Sequence, residues 1–136
     1  MHHIDKSTFS GLNGLEELIL MHNSISIIEP DSFAHMTQLR KLDFSFNCLE
    51  HIKAKMFAGL HNLEWLSLDF NVIKLIDNDS FSQMPKLVVL KLCNHMCQKP
   101  FNMSCLSGLS NKLEEFVATN AEKIEYDLND YDSFNE

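Results

Sequence analysis

No apolar run in this chain approaches the length needed to cross a bilayer. Stretches such as Leu18 to Met21 are four residues long, against the roughly 20 that a spanning helix requires. The opening Met1-His2-His3-Ile4-Asp5-Lys6 lacks the apolar core of a secretory leader. No G-x-S-x-G, H-E-x-x-H, phosphate-binding loop or dinucleotide fingerprint occurs. The seven histidines, His2, His3, His22, His35, His51, His61 and His95, therefore have no catalytic frame, and the chain is not expected to be an enzyme. No basic stripe is present to neutralise phosphates, so the sequence predicts no nucleic-acid partner.

Charge is unevenly placed. Residues 1–112 carry 11 acidic and 10 basic side chains, whereas residues 113–136 carry 8 acidic residues and only Lys123. The first part is close to neutral, and nearly all of the net −8 belongs to the C-terminal stretch. That acidic stretch contains Glu122, Glu125, Asp127, Asp130 and Asp132 but no glycine for the sharp turn of a calcium loop. It reads as a solvated face or an acidic tail. The 45% apolar content is ordinary for a packed protein.

What is present is a period. Phe9, Phe33, Phe57 and Phe81 are evenly spaced along the chain, and the same skeleton recurs between them. Leu15, Leu18, Leu20, Asn23, Ile25 and Ile28 precede Phe33. Leu39, Leu42, Phe44, Asn47, Leu49 and Ile52 precede Phe57. Leu63, Leu66, Leu68, Asn71, Ile73 and Ile76 precede Phe81. A fixed period of this length marks a stacked array, in which each unit buries its apolar face only against its neighbours. In Leu18-Ile19-Leu20 and its equivalents, alternate side chains point to opposite faces, as in a strand.

The units divide as a partial copy at 4–14, full copies at 15–38, 39–62 and 63–86, and an irregular one at 87–112. Residues 113–136 form a degraded last repeat or the acidic tail. In the irregular unit His95 replaces the recurrent Asn, and Cys97, Pro100 and Cys105 replace apolar positions. Both ends fall in mid-repeat with no cysteine-rich cap, so the chain is expected to be part of something longer, with sticky end strands if it is made alone.

This skeleton resembles the leucine-rich repeat in its 24-residue form. The resemblance implies an α/β repeat solenoid: a horseshoe arc with a parallel β-sheet on the concave side and irregular or 3-10 segments on the convex side. Asn23, Asn47 and Asn71 are expected to satisfy backbone groups where the chain turns inward. The four phenylalanines should stack as a spine. It implies a non-catalytic protein-recognition module needing no cofactor. Units of this form are mostly extracellular within the family. The interrupted fourth unit, Leu92-Cys93-Asn94-His95-Met96-Cys97 followed by Asn102-Met103-Ser104-Cys105, resembles those of Toll-like receptor ectodomains. A receptor ectodomain fragment concerned with innate immune recognition is thus expected. A secreted matrix or adhesion protein, a hormone-receptor ectodomain and a cytosolic scaffold are the alternatives. Any membrane link would lie in parts outside this chain.

Outward-pointing strand residues form four rows on the concave side. They are Glu17, Lys41, Trp65 and Val89; Ile19, Asp43, Ser67 and Lys91; Met21, Ser45, Asp69 and Cys93; His22, Phe46, Phe70 and Asn94. Trp65, Phe46 and Phe70 beside Lys41, Asp43 and Asp69 have the composition of a protein-binding hot spot. For Phe46 and Phe70 a second reading stays open, in which they fold over the strand edge and cover their own core. Cys97 and Cys105 form either a disulfide or two buried thiols at a Leu and a Phe position. A zinc site from Cys93, His95, Cys97 and Cys105 lacks a C-x-x-C knuckle, so no metal is expected. Asn78 and Asn102 head glycosylation sequons, or are ordinary loop residues.

Overall fold

The computed structural model describes residues 1–77 and 80–92. Four three-residue strands, β2 (Glu17–Ile19), β4 (Lys41–Asp43), β6 (Trp65–Ser67) and β8 (Val89–Lys91), pair in parallel in the order β2-β4-β6-β8. Their registers advance by one full repeat at each step, with Leu18, Leu42, Leu66 and Leu90 aligned. A second series of two-residue strands lies on the opposite side: β1 (His3–Ile4), β3 (Ile27–Ile28), β5 (His51–Ile52) and β7 (Leu75–Ile76). Here only β1 with β3, and β5 with β7, are paired. The fold is the expected leucine-rich-repeat solenoid, with no helix among the described residues.

The core lies between the two strand series. Leu42, Leu66, Phe44, Leu68, Leu49, Ile52 and Leu63 are all fully buried. Burying each such side chain is worth about 1.5–3 kcal/mol, which no single three-residue strand could gather alone. The phenylalanine spine forms as expected: ring centroids are 5.6 Å apart for Phe9–Phe33, 6.3 Å for Phe33–Phe57 and 6.5 Å for Phe57–Phe81, all stacked. Each spine phenylalanine sits in a run of turns. The bonds Ser32 N–H to Glu29 O, Ala34 to Asp31, Met36 to Phe33 and Leu39 to Met36 recur one repeat later, from Met56 to Leu63.

The asparagine ladder is equally regular. The Asn47 amide nitrogen donates to the carbonyls of Leu20 (2.9 Å), Phe44 (3.0 Å) and Ser45 (3.2 Å), and its oxygen accepts from Ile25 N–H at 3.0 Å. Asn71 repeats the pattern with Phe44, Leu68, Asp69 and the Leu49 N–H. One amide thus ties a strand exit to the previous repeat as well as to its own, which is why an alcohol or carboxylate could not replace it. Asn23, with no full repeat before it, reaches only Leu20 and Met21 and stays half-buried.

Candidate functional site

The strand registers place the predicted rows side by side. Glu17, Lys41, Trp65 and Val89 are consecutive partners across the concave sheet, as are Ile19, Asp43, Ser67 and Lys91. Neighbouring strands in such a sheet lie about 4.8 Å apart, so each row is a continuous line of side chains.

Trp65 stands in the first row, between Lys41 and Val89, and is half-buried. The Lys41 ammonium, from the preceding strand, lies 4.9 Å from its ring centroid, and that of Lys91, from the following strand, 5.9 Å. Both distances are within cation–π range, the ring's negative face attracting the ammonium groups. Among the described residues neither lysine joins an ion pair; the concave acids are engaged elsewhere or stand apart. Asp43 accepts hydrogen bonds from the Ser45 N–H and hydroxyl, which fixes its carboxylate against its own strand.

The third and fourth rows are less open than the first two. Phe70 is only 6% exposed and Asp69 9%, so neither presents its side chain freely to solvent. Phe46 is half-buried and His22 exposed. These residues take left-handed backbone conformations, with φ of 58° at His22, 58° at Phe46 and 55° at Phe70. A left-handed turn at this position swings each ring along the row. His22 stacks on Phe46 at 4.3 Å, and Phe46 on Phe70 at 4.5 Å. The conformation costs roughly 1–2 kcal/mol per residue. Stacking returns about 0.5–1.5 kcal/mol per pair, and the ladder asparagine that follows pins the turn. Phe70 is thus buried against Phe46 in the row, while Phe46 and His22 keep an open edge.

Sequence reasoning missed a convex set. His51 Nε2 lies 2.6 Å from Asp77 Oδ1, and His3 Nε2 lies 2.9 Å from Glu29 Oε1. These histidines are inter-repeat partners rather than idle loop residues. The signal was present, since His3 and His51, like Glu29 and Asp77, stand two repeats apart. The hydrogen bond from His51, its charge and the Ala54 N–H hold the Asp77 carboxyl below its ordinary value against the opposing effect of burial. Asp5 is likewise lowered, chiefly by hydrogen bonds from Ser7. Cys48 is a free, exposed thiol. Cys93, Asn94, His95, Cys97, Cys105, Asn78 and Asn102, and the stretch 113–136, lie outside the described residues.

With this geometry in hand, known proteins supply a frame. A family model described as leucine rich repeat matches residues 1–49 and 41–96. No curated protein sequence matches the chain. Among solved structures, the crystal structure of a TLR13–ssRNA13 complex matches with 35% sequence identity and a TM-score of 0.62. That match covers 67% of this chain and 14% of the receptor chain, so this protein is similar to a short stretch of a Toll-like receptor. It also corrects one expectation: a similar repeat array is described in complex with single-stranded RNA, so the exclusion of nucleic acid from the absence of a basic stripe does not hold. Charge summed along the sequence averages over the whole surface and says nothing of local groupings such as Lys41 and Lys91 about Trp65. The leucine-rich repeat is generally a non-catalytic recognition fold, and by its period, its asparagine ladder and its matching family model this chain belongs to the leucine-rich repeat family.

Proposed function

We propose that this chain is a recognition segment of a leucine-rich repeat receptor ectodomain of Toll-like type, working outside the cell or in an endosomal lumen. The ligand side is the concave face. Trp65, Lys41 and Asp43 meet the ligand, Phe46 borders it, and Asp69 and Phe70 support the surface from beneath. Trp65 held between two lysines that join no ion pair among the described residues is the observation that carries this reading. An aromatic anchor set among charges is the usual composition of a binding hot spot. Asn78 and Asn102 are the glycan acceptors such a compartment would use, and Cys97 and Cys105 the pair it would oxidise.

A second reading has its own support. The TLR13 structure contains single-stranded RNA, and an indole flanked by cations suits a base stacked beside its phosphates. Titrating the ¹⁵N-labelled full chain with a single-stranded RNA oligonucleotide, and separately with a peptide library, tests both. Shifts at the amides of Lys41–Asp43, Trp65–Ser67 and Val89–Lys91 are expected. Shifts confined to the convex strands His51–Ile52 and Leu75–Ile76 would remove the concave-face assignment.

A further inference from the structure

The charges on the concave face point to a more definite partner. Its first two rows each carry one charge of either sign: Glu17 faces Lys41 in the first, and Asp43 and Lys91 flank Ser67 in the second. Two of the acids are restrained, because Asp43 is held by Ser45 and Asp69 is buried, while Glu17 on the first concave strand is exposed. The two lysines are not held in this way. Both ammonium groups lie against the Trp65 ring, and among the described residues neither has a carboxylate within 4.0 Å. Elsewhere Lys6, Arg40 and Lys74 each have an acidic partner in a neighbouring repeat. Lys53, Lys55 and Lys86 join no ion pair among the described residues either, so what sets Lys41 and Lys91 apart is their shared aromatic face. A half-exposed aromatic face with two cations lacking counter-charge is a place where arriving carboxylates gain charge-assisted hydrogen bonds while apolar stems pack on the indole.

The geometry points to an acidic polypeptide segment as the occupant, its Asp or Glu side chains meeting Lys41 and Lys91 across Trp65. This rests on the concave-face reading above and names the chemistry that face would select. A polypeptide matches this mixture of signs because it can set carboxylates beside the two lysines and a cation or amide beside Glu17 and Asp43. Complementarity of this kind governs partner choice and association rate more than total affinity.

The test uses the full chain with a glutamate-rich peptide of about 15 residues, a glutamine-for-glutamate control peptide and a single-stranded RNA oligonucleotide, followed by fluorescence anisotropy at low salt. The glutamate peptide is expected to bind and the glutamine peptide to bind far more weakly. The pair K41E and K91E should weaken the glutamate peptide by about tenfold or more. The convex pair K53E and K55E changes the net charge equally and should leave binding unaltered. Equal losses from both pairs would overturn the inference, since attraction would then follow net charge alone. Binding of the RNA with none of the glutamate peptide would also overturn it. If W65A abolishes binding while K41E with K91E does not, the acidic partner falls but the concave face survives. If none of these concave changes matters, both readings fall. Circular dichroism of each variant confirms that the fold is intact.

Discussion

The Ser80 hydroxyl donates to the carbonyl oxygen of Ile52 at 3.1 Å, tying the turn of one repeat to the convex strand of the repeat before it. Ser32 makes the matching contact to Ile4 at 3.4 Å. Midway between them, one repeat from each, stands Met56, which has no hydroxyl. At that same junction the convex strands β3 and β5 are unpaired, and Ile27 and Lys53 stand where the neighbouring junctions hold a histidine and an acid. The convex side therefore repeats with every second unit, although the concave side repeats with every one.

Amide exchange should reveal that rhythm. The N–H groups of Lys74 and Asp77 are bonded to Glu50 and Ile52, and that of Glu29 to Ile4. Those of Glu50 and Lys53 make no equivalent bond among the described residues, so they should exchange on the order of tenfold faster. Equal protection would mean that the convex side is continuous. Met56→Ser should nonetheless destabilise the chain by about 2 kcal/mol. Removing a buried Met side chain costs about 2–5 kcal/mol, and a new hydrogen bond returns only about 1 kcal/mol. Urea unfolding measures the difference.

Asn71→Ala should cost about 3 kcal/mol in urea unfolding, because it strands a buried Leu49 N–H and the carbonyls it served. Asn23→Ala should cost about 1 kcal/mol, since its groups are half-exposed and water can replace it. Equal costs would contradict the inter-repeat role of the amide.

Two glycines with similar backbones separate strain from crowding. Gly11 has φ of 86° and open space around a would-be Cβ, whereas at Gly59, with φ of 97°, that atom would lie 2.5 Å from Ala34 Cα. Gly11→Ala should cost about 1 kcal/mol from conformation alone. Gly59→Ala should cost about 3 kcal/mol or more, because Ala34 backbone would have to move. Thermal midpoints of the two variants give the comparison.

Asp77 makes stability depend on acid. Its folded carboxyl lies below the ordinary value, chiefly through His51, so its contribution is full above the unfolded value of about 3.9. It is lost as pH falls through the lowered folded value. The pair is more than a third exposed on the acid side, and solvent screening keeps the effect at about 1 kcal/mol or less. Asp77→Asn should thus unfold at lower urea than the parent at pH 6, with the gap closing between about pH 4 and the folded value. A gap that does not change over that range would show that the contact lacks charge.

The concave rows were open to reading before any coordinates because strand alternation and the repeat period together dictate which residues share a face. Trp65 beside Lys41 follows from the count alone. That Lys91 also reaches the ring does not, since it approaches diagonally from the next strand. Burial of Phe70 was one of two readings the sequence left open; the three equivalent positions share a left-handed φ yet differ in burial, so the repeat pattern could not choose between them. The histidine–acid pairs could have been found by testing the period at twice its length. The ligand-facing surface was thus visible as a pattern, and its depth was not.

Period, phase and the identity of the inward residues were determined by the sequence itself, because each repeat can hide its leucines only against an equivalent neighbour. Spacing therefore dictates stacking, and with it the asparagine ladder and the phenylalanine spine. Only the tertiary structure decided which concave aromatics are open, which lysines lack a counter-charge and where the convex strands fail to join. Those properties depend on side-chain direction and on contacts between residues in different repeats, and distance along the chain does not encode them.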